Sequence, residues 1–117
     1  MLTVYGIKNC DTVKKTFAWL QQHQLEAVLH DYRQHGIDHQ FLQHVTEIFG
    51  WENLVNKRST TWRNLDEQTK NNINSHNVIE LLLQQPTLIK RPIVLGKQIQ
   101  LIGFNEKQYA AAFGVTK

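Results

Sequence analysis

The hydrophobic period changes twice near the start of the chain, and that switch narrows the topologies open to it. Residues 2–6, Leu-Thr-Val-Tyr-Gly, are rich in β-branched and aromatic types and predict a short strand. From Asp11 the spacing becomes helical. Val13, Phe17 and Leu20 recur at i, i+4 and i+7, which predicts an amphipathic helix over residues 11–23. Lys14 and Lys15 then fall on its solvated side. Trp19 falls off the stripe and is expected to be partly exposed. Asn9 and Asp11 are both good helix-start residues. Residues 26–31, Glu-Ala-Val-Leu-His-Asp, return to a strand pattern. Strand, helix and strand in this order require a crossover that leaves the two strands parallel.

The rest of the chain reads as helices followed by a hairpin. Gly36 breaks the chain and Asp38 is placed to cap a helix. Phe41, Leu42, Val45, Ile48 and Phe49 form its apolar face, and Gly50 stops it. Residues 51–62 have weak periodicity and are rich in Asn, Ser and Thr. A short helix is expected to begin near Asp66. Ser75 is expected to cap another, which carries Val78, Ile79, Leu82 and Leu83 and ends at Pro86. Ile93, Val94 and Leu95 precede Gly96-Lys97, and residues 98–102 follow. Gly-Lys between two β-rich runs predicts a tight hairpin. At the end, Phe104 can staple to Tyr109, Asn105 can cap, Gln108 stands at the capping-box position and Gly114 follows the last turn. The expected architecture is α/β, a four-stranded mixed sheet in the order β-α-β, helical insertion, β-β-α. Residues 1–117 read as a single domain, with about 38–85 as a helical insertion within it.

Composition excludes several classes of function. A chain of 117 residues can bury a core without disulfides or metal. Hydrophobic residues make up 41% and charged residues 20%, the profile of an ordinary globular protein. The net charge of +3 comes from scattered Lys and Arg with no long basic run, so no nucleic-acid partner is expected. No apolar run approaches membrane-spanning length, and no signal-peptide pattern opens the chain. With one cysteine there can be no internal disulfide, and the expected location is the cytoplasm. His35, His39 and His44 lie close in sequence. Gly36 interrupts the first interval, and residues 39 and 44 do not share a helical face, so no metal site is expected.

The single thiol, Cys10, falls between the first strand and the first helix. A helix start offers unpaired backbone N–H groups and the positive end of the dipole, and both favour a thiolate. Lys8 and Lys14 add attraction, and Asp11 opposes it. The other reading is a small apolar residue at a strand end. Val13 stands where a Cys-x-x-Cys motif would have its partner. Any resolving thiol must then be external, such as glutathione or a partner protein. In "IKRPIV", Arg91 precedes Pro92 and a strand. There it is either a guanidinium held by a stiff backbone to bind an oxyanion or carboxylate, or a solvated edge residue. "NKRSTTWRN" gathers Lys57, Arg58 and Arg63, either as an anion-binding loop or as a solvated polar one.

Taken in order and spacing, "YGIKNCDTVKK", "RSTTWRNL" and "IKRPIVLGK" resemble the arsenate reductase (ArsC) family, in its YffB-like branch, over almost the whole chain. The resemblance implies a thioredoxin-like fold with a helical insertion. It implies a catalytic Cys10, a functional Arg91, and at Pro92 a proline of the type that is typically cis and lies near the active thiol. Arg58 and then Arg63 are the candidates for anion binding from the middle segment, and Lys8 for steering anions. Two departures stand out. The family's Cys-Gly-Thr-Ser-Arg-like turn is here Cys10-Asp11-Thr12-Val13-Lys14. The strand after the Arg-Pro hairpin, "QIQLIGF", lacks a further family arginine. One charge-assisted contact fewer weakens anion binding by about 1.5–3 kcal/mol.

The function implied is a glutathione-dependent thiol reductase or arsenate reductase-like oxidoreductase working through one nucleophilic cysteine. No cofactor is expected to stay bound, and glutathione is expected as co-substrate. The partners expected are glutathione and a small oxidised or anionic substrate, with a protein disulfide as a further candidate. The alternative is a non-enzymatic, Spx-like regulator that binds a partner without a disulfide switch.

Overall fold

A computed structural model of the chain describes residues 2–8 and 10–115. These residues fall into two compact units. One takes in the described residues up to Gly36 and from Arg91 onward, and the other runs Ile37–Lys90.

The first unit is an α/β layer built on a four-stranded mixed sheet of order β2-β1-β3-β4. Strand β1 (Leu2–Gly6) leads into helix α1 (Asp11–Gln22), which returns the chain to β2 (Ala27–Asp31), parallel to β1 with Leu2 opposite Ala27 and Gly6 opposite Asp31. A one-turn helix, α2 (Tyr32–His35), follows at once and ends at Gly36, whose φ of 77° is a conformation open to glycine. Strand β3 (Ile93–Leu95) runs antiparallel to β1, and β4 (Gln100–Ile102) antiparallel to β3. The sheet therefore has the parallel pair and the hairpin that the sequence order requires. The reversal is centred one residue later than expected. Gly96 N–H donates to the Ile99 carbonyl at 3.0 Å, which leaves Lys97 and Gln98 at the tip. A β-carbon at Gly96 would come within 2.6 Å of Leu2 Cδ2, so the end of the Leu2 side chain would have to shift to accept one.

Helix α8 (Glu106–Phe113) closes the unit. Asn105 Oδ1 accepts the Gln108 N–H at 3.1 Å, Phe104 meets Tyr109 edge-on at a ring separation of 5.0 Å, and Gly114 adopts the left-handed conformation. The core joins Leu2, Val4, Val13, Trp19, Leu20, Val94, Leu101 and Tyr109. Trp19 is thus a core residue, only 4% exposed, which corrects the expectation of partial exposure. Its neighbours explain the difference. Tyr109 meets it edge-on at 5.5 Å and Phe113 lies at 5.8 Å, so α8 covers a side of α1 that the stripe on α1 does not mark. Thr16, fully buried beside this core, donates its hydroxyl to the Thr12 carbonyl at 2.8 Å.

The second unit is helical. Helix α3 (His39–Phe49) begins where Asp38 Oδ1 accepts the Phe41 N–H at 2.8 Å and stops at Gly50 (φ 84°). The stretch without clear periodicity holds two single-turn helices, α4 (Trp51–Leu54) and α5 (Thr60–Arg63). Helix α6 (Glu67–Asn72) is capped by Asp66. Helix α7 (Val78–Gln84) starts after Asn77, not after Ser75, and has no side-chain cap, and Pro86 opens a 3-10 turn (Pro86–Leu88) after it. The core of this unit includes Leu42, Val45, Leu54, Val78, Leu82 and Leu88. Among the described residues no helix is long and apolar enough to cross a membrane.

Candidate active site

Of the residues singled out from the sequence, Lys8, Cys10 and Arg91 lie near the end of β1. This strand is central, with a parallel neighbour on one side and an antiparallel one on the other.

Cys10 occupies the N-cap position of α1. Its backbone is extended (φ −89°, ψ 128°), and its carbonyl accepts the Lys14 N–H at 3.0 Å. Asp11 is the first helical residue, where the spacing places the start of the helix, and Asn9 lies outside the described residues. The Cys10 side chain is half-buried against the core cluster and makes no capping hydrogen bond. A serine or aspartate at this position would place an oxygen on the N–H groups of the first turn. A thiolate there would face the same donors and the positive end of a twelve-residue helix.

Arg91 and Pro92 enter this unit just before β3. The Arg91–Pro92 peptide is cis. Pro92 is buried, and its carbonyl accepts the Gly103 N–H at 2.8 Å, continuing the contact between β3 and β4. The Arg91 stem runs past the end of β1, with its β-carbon 4.0 Å from where a β-carbon on Gly6 would stand. The same point lies 2.7 Å from Val13 Cγ2. Gly6 thus lets the first turn of α1 pack against the strand end, while the Arg91 β-carbon stands beside it at an ordinary contact distance. Burial pushes ionisation of the Tyr32 hydroxyl well above the ordinary tyrosine range, and the positive charge of Arg91 acts against that rise. Arg91 is therefore within electrostatic reach of Tyr32 at the start of α2.

Lys8 presents an exposed side chain from the segment between β1 and α1. Its backbone is held, because Lys8 N–H donates to Asp31 Oδ2 at 3.1 Å. Asp31 had no place among the residues the sequence singled out. An aspartate closing a strand is a cap signal, and Asp31 Oδ1 does accept the Arg33 N–H of α2 at 2.7 Å. The bond to Lys8 spans 23 positions and leaves no mark in a local pattern.

Arg58 and Arg63 belong to the helical unit, and both are exposed. Arg58 N–H donates to Asn56 Oδ1 at 3.1 Å in the turn before α5, and Arg63 ends that helix. Between them Trp62 carries Lys57 Nζ at 5.5 Å and Lys70 Nζ at 5.9 Å from its ring centre. The sequence-predicted residues therefore divide. Cys10, Lys8, Arg91 and Pro92 share one unit, and Arg58 and Arg63 lie in the other. Among the described residues, no three His, Cys, Asp or Glu side chains gather in a group able to hold a metal.

A model of the ArsC family matches residues 5–112. An uncharacterized protein of Haemophilus influenzae is 60% identical over 113 residues, spanning 97% of this chain and 99% of the relative. A solved structure described as YFFB (PA3664) protein superimposes with a TM-score of 0.90 at 41% identity, covering 96% of this chain and 98% of that one. An arsenate reductase (ArsC) related protein from Brucella melitensis matches at 38% identity with a TM-score of 0.79, over 97% and 95% of the two chains. The global transcriptional regulator Spx of Streptococcus pneumoniae is 27% identical, over 95% of this chain and 84% of its own.

Proposed function

The chain belongs to the ArsC family, and from that premise we propose that it is a glutathione-dependent thiol reductase with Cys10 as its nucleophile. The observation that carries the reading is the position of Cys10. Its sulfur sits at the start of α1, on the carboxyl end of the central strand, and does not cap the helix.

In the proposed cycle the Cys10 thiolate attacks one sulfur of a disulfide. A Cys10–S–S–R bond forms, and the other half leaves as a thiolate that takes a proton from water. Glutathione thiolate then attacks the substrate-derived sulfur of the mixed disulfide. That step releases the Cys10 thiolate and a glutathione mixed disulfide, so glutathione supplies the electrons. With arsenate the thiolate would displace water from the arsenic. Glutathione attack on the Cys10 sulfur would then release arsenite and leave Cys10–S–S–G, which a second glutathione opens. Arg91 is the group proposed to hold the thiolate and an anionic part of substrate or glutathione. Pro92 fixes the Arg91 backbone, and Lys8 steers anions from the surface. Arg58 and Arg63 are proposed as anion-binding side chains of the helical unit.

The test is consumption of NADPH in a coupled assay with glutathione, glutathione reductase and a small disulfide such as hydroxyethyl disulfide. Turnover by the wild-type protein and its loss in Cys10→Ser are expected. Equal rates for the two would refute the reading.

The Spx relative supports a second reading, a regulator that binds a protein partner. Residue 13 is valine, and a cysteine three residues after Cys10 is what a local disulfide switch would need. Partner binding that is equal in wild type and Cys10→Ser, together with no turnover in the coupled assay, would favour this second reading.

A further inference from the structure

We infer that Asp31 is a positioning residue for Cys10, acting through the backbone of Lys8. The inference rests on the reading of Cys10 as the reacting group.

Asp31 is the last residue of β2, directly opposite Gly6, the last residue of β1. It is 4% exposed, and a buried carboxylate requires partners for its oxygens. It has them on two different segments. Oδ2 accepts the Lys8 N–H at 3.1 Å, and Oδ1 accepts the Arg33 N–H at 2.7 Å. Its own N–H donates to His35 Nδ1 at 3.1 Å, which adds a third tie, to the end of α2. The carboxylate therefore bridges the segment after β1 and the helix after β2.

The segment after β1 is short and turns sharply, with Cys10 N–H donating to the Ile7 carbonyl at 3.2 Å. Lys8 lies inside that turn with its side chain exposed, and its backbone is tied to Asp31. Fixing Lys8 fixes where the turn delivers Cys10 to the start of α1. Asparagine at position 31 would keep the shape but offer one acceptor oxygen in place of two. Its amide group cannot accept, so one of the two N–H bonds must be lost.

The experiment compares wild type, Asp31→Asn, Asp31→Glu and Leu101→Ala. The last lies in the core of the same unit and controls for simple destabilisation. Two quantities are read: hydrogen exchange at the Lys8 amide, and the rate at which Cys10 forms a mixed disulfide with glutathione disulfide. Asp31→Asn should speed exchange at Lys8 and slow adduct formation about tenfold, the scale expected when a reacting group is displaced by less than an ångström. Asp31→Glu keeps the charge with shifted oxygens and should fall between. Leu101→Ala should lower stability and leave the rate of adduct formation near wild type. Circular dichroism checks folding, and if Asp31→Asn does not fold, Asp31→Glu carries the comparison. An unchanged adduct rate in the folded Asp31 variant, or equal slowing in Leu101→Ala, overturns the positioning role alone. Failure of wild-type Cys10 to react at all overturns the reading beneath it.

Discussion

Val13 Cγ2 stands 2.7 Å from the point where a β-carbon on Gly6 would be, so the first turn of α1 packs directly on the backbone at the end of β1. Val13 is 2% exposed and belongs to the core. The position three residues after Cys10 is therefore occupied by a side chain that fastens the helix start to the strand.

Gly6→Ala should destabilise the protein by about 1–3 kcal/mol, because the new methyl group overpacks a filled site. Urea unfolding measures it. Val13→Ala in the same chain should relieve part of the effect, so the double variant should be more stable than the sum of the singles predicts.

Trp19→Ala should destabilise by about 3–5 kcal/mol, the range for removing a large buried aromatic side chain. The edge contact with Tyr109 and the packing on Phe113 are lost together. Chemical denaturation reads the change, and a value near that of a surface substitution would contradict the burial of Trp19.

Trp19 also marks how far the sequence could be read. The parallel pair, the hairpin, the Asp38 and Asn105 caps and the stops at Gly50 and Gly114 are local features, and local spacing shows them. What covers Trp19 is a helix that begins at Glu106, and no pattern within α1 reveals a partner so distant. Helices α4 and α5 are each a single turn, too short to display a period. Asn77, not Ser75, stands at the start of α7, and its Oδ1 accepts the Asn74 N–H at 2.8 Å and caps no N–H of the helix, a local turn that spacing does not reveal. At the candidate site the sequence pointed to Cys10 and Arg91. The bond from Lys8 to Asp31 is a tertiary contact and was invisible.

Acid should loosen the hold on Lys8. The Arg33 N–H, and after it the Lys8 N–H, lower the Asp31 carboxyl below its ordinary value of 3.8, against the effect of burial. A carboxylate with a depressed folded value stabilises the fold above its unfolded value, and that contribution is lost as pH falls through the folded one. Wild-type stability should therefore drop below about pH 4. In Asp31→Asn the drop should be shallower, as read by urea midpoints from pH 6 down to pH 2.5.

Alkali should act through Tyr109. Its hydroxyl donates to the Gly103 carbonyl at 2.7 Å, and burial pushes its ionisation up from 10.0 to about 12, with a Thr16 hydrogen bond opposing the rise. A tyrosine with a raised folded value contributes stability that is whole below its unfolded value and is lost as pH climbs toward the folded one. Urea midpoints should fall between about pH 10 and 12. Tyr109→Phe should be less stable at neutral pH, where the hydrogen bond is missing, and should show less of the alkaline fall.

The central claim is that Cys10 is a working nucleophile served by an external thiol. Intact mass after native exposure to glutathione disulfide tests it most directly. The account predicts a single glutathione adduct, located on Cys10 and removed by reduced glutathione. No adduct on the native protein, with reaction appearing only after unfolding, would make Cys10 a structural thiol and contradict the account.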